Sequence, residues 1–407
     1  MLGKIAKRKS LVVLGLNSGT SADGLDLAAV RITRTRTGLT ITFLAGHTVQ
    51  YPPAIRSLIL RIADSENLPV ADLVYLDNLL GTFYGKTAKQ FIGRLRQRKL
   101  KVDAIASHGQ TVRHLPKPIK VAGIQVHGTL QLGSLARIAA LTNCVTVGDF
   151  RQGDIAIGGE GAPITVAAMS EMFRSSKHGR LIVNVGGMSN YFFFPPAGPN
   201  ARIQAADCGP GNVLSDLLCR ELFGKKYDRN GAFAAQGNFS LRLLSILKSS
   251  PYFTSSARST GREEFGQKMA IRMIELGKSM RLSPKDVIAT ATELTAQCIA
   301  TAVAPLISRS AKKQRESVGA LYLTGGGSHN KFLCRRLCEL TGGLPVTSVR
   351  DLGMNPDLVE ATAFAVMGAK TLWSTPTETR FDRTRTSVRP VLGAICQPPA
   401  RKRQGTR

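Results

Sequence analysis

Short apolar strands that run directly into glycine-rich polar loops recur along this chain. LVVLGLNSGTSADG opens it, RLIVNVGGMSN follows near the middle, and LYLTGGGSHN stands in the last third. In open α/β sheets such loops, at the carboxyl ends of strands, are where a ligand is taken. Strand meanders followed by helical stretches accompany them in both halves. This pattern predicts an α/β protein of two similar lobes with a cleft between them. A length of 407 residues with no low-complexity linker fits about two domains. The expected division is lobe I over 1–145 and lobe II over 146–359. The segment 360–396 is expected to pack back on lobe I as a helix, with 397–407 a basic tail.

Within that frame, Val12 to Leu16, Leu25 to Thr33 and Leu39 to Val49 read as successive strands, with Gly38 at a turn. Pro52 to Leu100 reads as helical from the spacing of Ile55, Leu58, Ile59 and Ile62, then Val74, Leu76, Leu79 and Leu80. Val102 to Ser107, Leu181 to Val185 and Leu321 to Thr324 read as short buried strands. Asp286 to Ile307 and Glu360 to Trp373 read as helices.

In the hairpin LGLNSGTSADGLDLAAVRI, Leu14 to Ile32, the turn from Ser18 to Asp26 carries two glycines, three hydroxyls and two aspartates. Gly19 and Gly24 permit backbone conformations and close approaches that a Cβ would obstruct. Ser18, Thr20 and Ser21 place hydroxyls beside turn N–H groups, a combination that wraps phosphate oxygens. Asp23 and Asp26 are carboxylates of the kind that hold a hydrated Mg²⁺ beside nucleotide phosphates. An ordinary hairpin whose polar residues make local turns has the same composition.

Three further loops bear on the choice. Gly325, Gly326 and Gly327 would let an adenosine lie against bare backbone, where a tight strand–helix turn needs a single glycine. NVGGMSN offers Gly186 and Gly187 in a second polar turn. AADCGPGNVLSDLL puts Asp207 in a Gly-Pro-Gly turn that opens a helix at Asn212. With Asn212 as the helix cap, Asp207 is left for another task, such as general base. SHGQTVRH and GDFRQGDIAIGGEGAPI gather His108, Thr111, His114, Arg151 and Asp154. Two histidines six apart make a poor shared metal site, so these loops fit hydrogen bonding to a polyhydroxylated or acidic ligand.

The formal net charge is +28. No aromatic residues interleave the basic clusters, so a nucleic-acid partner is not expected. No apolar stretch is expected to approach the roughly 20 residues a membrane span needs. Seven cysteines, an odd number without a CxxC, point to reduced thiols and a cytoplasmic setting.

Taken together these loops resemble the anhydro-N-acetylmuramic acid kinase family, from Leu14 to about Cys396. The matches run in family order: SGTSADGLD, HGQTV, GDFRQGDIAIGGEGAP, NVGGMSN, DCGPGN, PYF with STGREEF, TATELTA, GGGSHN, PDLVEATAF and VLGAI. The resemblance implies the acetate and sugar kinase/Hsc70/actin fold, two lobes each built on an RNase H-like sheet. It implies ATP and Mg²⁺, an anhydrosugar substrate, and a homodimer. The implied reaction opens the 1,6-anhydro bridge with water and phosphorylates O6 from ATP, as in recycling of peptidoglycan fragments. A related kinase for another anhydrosugar or sugar acid, or a non-catalytic ATP-binding homologue, is the alternative.

On this chain the resemblance implies Asp207 as catalytic base. Gly19, Thr20, Ser21, Ala22, Asp23, Gly24, Leu25 and Asp26 would grip the phosphates, with Asp23 placing Mg²⁺. Gly186 and Gly187, then Gly325, Gly326, Gly327 and Asn330, would complete the ATP site. Thr111, Arg151 and Glu360 fall on positions expected near the sugar, Arg151 as partner of its lactyl carboxylate. The chain departs from the pattern at Asn17 for Met, Arg113 for an aromatic residue, Ser134 for Asp or Glu, Glu160 for Gln and Cys208 for Thr. Cys208 for Thr is expected to remove a hydroxyl beside the base.

Overall fold

The computed structural model describes residues 2–19, 21–65, 67–196, 202–250, 265–312, 317–377 and 389–400. It divides into two compact units, Met1–Met172 with Leu358–Arg407, and Phe173–Asp357.

In the first unit, β1 (Ser10–Ser18), β2 (Gly24–Arg34) and β3 (Leu39–Gln50) form an antiparallel meander. β4 (Ala104–Val121) lies parallel to β1 on its other side and pairs with β5 (Ile124–Leu132) through its second half. β6 (Val145–Gly148) lies parallel to β4, and a short strand, Ala394–Cys396, closes that edge antiparallel. β1 is buried from Leu11 to Ser18, as a central strand covered on both faces must be. One cover is the helix Val70–Gln97. Its Leu76, Leu80, Tyr84, Ala88, Phe91 and Leu95 form a stripe of three- and four-residue spacings in the core.

The other cover is the helix Val359–Leu372. It approaches the sheet so closely that glycine is needed on both sides: a Cβ on Gly15 would lie 1.8 Å from Ala361 O, and one on Gly368 would lie 2.5 Å from Ala106 Cβ. Of its fourteen residues only Glu360 is not buried.

In the second unit, β7 (Gly179–Val185), β8 (Met188–Phe194) and β9 (Gln204–Pro210) form another antiparallel meander. β10 (Val318–Thr324) lies parallel to β7, and β11 (Val346–Ser348) parallel to β10. Each sheet therefore places its first strand centrally, a two-strand antiparallel return on one side and two parallel strands on the other. This is the RNase H-like order, found twice in one chain.

Several expectations are corrected. The boundary at 145/146 moves to 172/173, because β6 completes the first sheet and carries the Arg151 segment with it. Among the described residues of the segment 360–396 only those up to Leu372 are helical, in the helix Val359–Leu372, and residues 378–388 and 401–407 lie outside the described residues. The helical stretch 52–100 is two helices, Pro53–Asp64 and Val70–Gln97, parted before Pro69. The basic N-terminal tail begins with a short helix, Leu2–Ala6, whose Ile5 is buried. The helix Pro284–Lys312 is long and apolar enough over Pro284–Ser308 to cross a bilayer, contrary to the expectation. Its Ile288, Leu294, Ile299 and Val303 are instead packed in the core of the second unit.

Candidate active site

The opening turn is tied from below by a buried polar chain. Ser18 donates to Gln110 Oε1 at 2.5 Å, Tyr51 donates to Ser18 Oγ at 2.9 Å, and the Tyr84 hydroxyl lies 2.7 Å from that of Tyr51. Gln110 Nε2 donates to Gly19 O at 3.2 Å. Burial pushes the Tyr51 phenol up to about 12, so it remains a neutral hydroxyl. Ser18 thus braces the turn, where a hydroxyl offered to phosphate was expected.

The left-handed residue of the turn is Ala22, at φ 50°, and neither Gly19 nor Gly24 is in that region. Gly24 is required by packing, since a Cβ there would lie 2.4 Å from Val49 O. Above Gly19 the nearest atom to such a Cβ is Ser21 Oγ at 3.8 Å, which leaves room for a ligand against the backbone. Ala22 and Leu25 are buried in the core, so any contact they make with ATP is through backbone. Asp23 is exposed and pairs with Arg56 at 3.3 Å, while Asp26 accepts from Thr48 at 2.6 Å. Arg56 also donates to Ser21 O at 3.4 Å. Thr20 lies outside the described residues.

A second cluster of the same unit holds the three residues expected at the sugar. Glu360 stands in the first turn of its helix, where a carboxylate complements the helix dipole. Asn17, 3% exposed, donates Nδ2–H to Glu360 Oε2 at 2.8 Å. Arg151 donates from Nε to His108 Nε2 at 3.0 Å and from Nη1 to Gly161 O at 3.2 Å. Burial lowers the Arg151 pKa, and the charge of Glu360 offsets this only in part. The loop around Gly161 is clipped from its other side by Asp154, which accepts Gly161 N–H at 2.8 Å. Thr111 Oγ1 accepts from Gln131 Nε2 at 3.2 Å, and Gln131 also donates to Thr129. Gln152, next to Arg151, donates to Thr129 O at 2.8 Å. Thr111 is thus linked through Gln131, Thr129 and Gln152 to the helix segment that carries Arg151.

In the second unit three loops are laced together. Asn212 N–H donates to Gly186 O at 2.8 Å and Gly211 N–H to Gly187 O at 2.9 Å. Asn212 Nδ2 donates to Val185 O at 3.2 Å, so its side chain joins loops and makes no cap bond to its helix, contrary to the expectation. A Cβ on Gly325 would lie 2.8 Å from both Asn184 Oδ1 and Val185 O, and one on Gly327 2.4 Å from Val185 Cγ1. Two of the three glycines are accounted for by this packing. Gly326 alone of the three is exposed, and a Cβ there would come no closer than 3.5 Å, to Asn212 Nδ2. Gly187 is exposed as well. Asn330 is buried and caps the helix Lys331–Leu340 through Leu333 N–H at 3.0 Å.

Asp207 lies on β9, three residues before Pro210, not in the turn itself. Its cross-strand partner is Asn190, whose partner in turn is Asn184, itself beside Thr324. Directly paired residues share a face, so Asp207 ends a polar row across four strands, and it is exposed. Cys208 points the opposite way. It is packed among Leu181, Val183 and Phe193, and burial, then the charge of Asp207, pushes its thiol up to about 12. The exchange of Thr for Cys thus alters the core, contrary to the expected loss of a hydroxyl beside the base. Ser134, in place of a carboxylate, caps the helix Leu135–Thr142. The STGREEF match lies outside the described residues except for Phe265. Among the described residues no three acidic, His or Cys side chains gather as a metal cage.

Sequence reasoning singled out neither Asn17 nor Gln110 as a site residue, and passed over Tyr51, Tyr84, Asn184 and Asn190. Gln110 had a signal in HGQTV, and the two asparagines in NVGGMSN. Tyr51 and Tyr84 had none.

Two RNase H-like sheets in one chain, each with a glycine-bearing polar turn after its first strand, define the acetate and sugar kinase/Hsc70/actin class. The chain belongs to the anhydro-N-acetylmuramic acid kinase family, whose model matches residues 11–398. It is 35% identical to the anhydro-N-acetylmuramic acid kinase of Salinibacter ruber over 96% of this chain and 98% of that protein. It is 37% identical to that of a Cyanothece strain over 88% and 92%. A crystal structure of gluconate kinase from Lactobacillus acidophilus aligns over 90% of each chain at 10% identity, with a TM-score of 0.42.

Proposed function

We propose that this kinase takes ATP and 1,6-anhydro-N-acetylmuramic acid and releases ADP and N-acetylmuramic acid 6-phosphate. The observation that carries the reading is that Arg151 feels the charge of Glu360, and that Thr111 is linked through Gln131, Thr129 and Gln152 to the segment bearing Arg151. A guanidinium suits the sugar's lactyl carboxylate, and the carboxylate and hydroxyl suit its hydroxyl and amide groups.

Asp207 accepts a proton from water as that water bonds to the anomeric carbon. The bond from that carbon to O6 breaks, and O6 attacks the γ-phosphate as the bond to ADP breaks. The strained bridge thereby supplies its own nucleophile, and the protein contributes position and charge. Gly19, Ser21 and the turn backbone take the phosphates, with Arg56 beside them. Gly187 and Gly326 border the nucleotide. Asp23, exposed on the turn, is the carboxylate that would hold hydrated Mg²⁺, which neutralises phosphate charge when bound.

The reading carries with it a cytoplasmic setting, supported by seven free cysteines, and a role in recycling peptidoglycan fragments. The homodimer implied by the resemblance is part of the same proposal. The test is to incubate the purified protein with Mg²⁺-ATP and the anhydrosugar and weigh the product. The expected product is heavier than the sugar by both HPO₃ and H₂O. No product, or one heavier by HPO₃ alone, contradicts the reading.

A further inference from the structure

We propose that His108 is the positioning residue for Arg151: it takes the Arg151 Nε–H while its ring is pinned on Phe364, so only the Nη end of the guanidinium is offered to a substrate carboxylate. This rests on the reading of Arg151 as the carboxylate's partner.

The hydrogen bond from Arg151 Nε to His108 Nε2 is 3.0 Å long. The His108 ring is 8% exposed and stacks on Phe364, with centroids 4.6 Å apart and planes 24° apart. Phe364 is itself buried and leans on Phe150, with centroids 5.7 Å apart. The imidazole is therefore held by aromatic packing rather than by solvent-exposed contacts.

For Nε2 to accept, the ring proton must sit on Nδ1. Burial, then the charge of Arg151, holds the His108 pKa at about 3. The lone pair on Nε2 is thus available throughout the neutral range, where a charged imidazolium would set N–H against N–H.

A guanidinium grips a carboxylate through two parallel N–H bonds. With Nε engaged by His108 and one Nη1 proton on Gly161 O, the side-on grip through Nε is closed. Fixing a long side chain before binding removes an ordering cost of roughly 0.5–1.5 kcal/mol that substrate binding would otherwise carry. Phe364 lies four residues after Glu360, on the same helix face. The helix that carries Glu360 thus also carries the ring that seats His108.

The test uses two variants of the full chain labelled with [¹⁵N]arginine. His108→Phe keeps a ring for Phe364 and removes the acceptor, and His108→Gln keeps an acceptor and removes the ring. In the parent, Arg151 Nε–H gives a slowly exchanging signal, assigned by its loss in Arg151→Lys. In His108→Phe that signal is lost and KM for the anhydrosugar rises about tenfold, the effect of one hydrogen bond to a charged group, with KM for ATP unchanged. His108→Gln restores part of both, and it decides the matter if His108→Phe does not fold. A retained signal, an unchanged sugar KM, or an equal rise in both KM values overturns the proposal. If the parent has no turnover, the proposed function falls and the Nε–H signal alone judges the positioning role.

Discussion

Asn17 on β1 and Glu360 on the helix Val359–Leu372, 343 positions apart, are joined by a 2.8 Å hydrogen bond from Nδ2 to Oε2. Asn17 is buried, and Glu360 is the one exposed residue of its helix. The strand thus holds in place the carboxylate whose charge acts on Arg151. Replacing Asn17 by Leu keeps the bulk and removes the donor. A net hydrogen bond of about 1 kcal/mol corresponds to a factor of about five. Asn17→Leu is expected to raise KM for the sugar by about that factor and leave KM for ATP unchanged. Steady-state kinetics with each substrate varied checks this, and a change in KM for ATP alone contradicts it.

The fold of His108 around a neutral ring has a pH signature. Its pKa is about 3 in the folded chain and about 6.5 in an unfolded one, so between these values the unfolded state binds more protons. The stability that His108 contributes is complete above about pH 6.5 and is lost as pH falls toward about 3, at up to roughly 1.4 kcal/mol per pH unit. Urea unfolding across this range should therefore show a shallower pH dependence for His108→Gln than for the parent. Equal slopes contradict the assignment.

The three glycines after β10 are not equivalent. Gly325, at φ 77° and packed on Asn184 and Val185, should lose about 1–3 kcal/mol of stability as Ala. Gly326, exposed and with room for a Cβ to within 3.5 Å of Asn212 Nδ2, should lose under about 1 kcal/mol as Ala. Its replacement is expected instead to weaken ATP binding. Urea unfolding and ATP titration of the two variants separate these effects. Equal losses of stability would show that the loop is packed differently.

Much of this architecture was legible because apolar runs and glycine loops carry their own periodicity. β1, β2, β3, β7 and β10, and the helices ending near Ile307 and Trp373, were all present in the pattern. What was not legible depends on partners distant in sequence. The Gly15 contact with Ala361 O and the bond from Asn17 to Glu360 each join the first strand to a helix that follows more than 300 residues later. Asp207 read as a turn residue because Gly-Pro-Gly follows it, but pairing with Asn190 extends β9 through Pro210. Cys208 read as a neighbour of the base because it is adjacent in sequence, whereas strand alternation sends it to the core. β4 read as ending at Ser107, yet pairing with β5 carries it to Val121 past Pro116 and Pro118.

The coupled reaction rests on Asp207, the exposed carboxylate at the end of the polar row from Thr324 through Asn184 and Asn190. Asp207→Asn keeps its size and removes its capacity to take a proton. The decisive measurement is turnover of Mg²⁺-ATP and 1,6-anhydro-N-acetylmuramic acid by this variant, beside its ATP affinity. The account predicts that sugar phosphate formation falls by a factor of about 10² or more while ATP affinity stays within about twofold of the parent, a difference of about 0.4 kcal/mol. A variant that retains full turnover would show that the proton leaves the attacking water by another route.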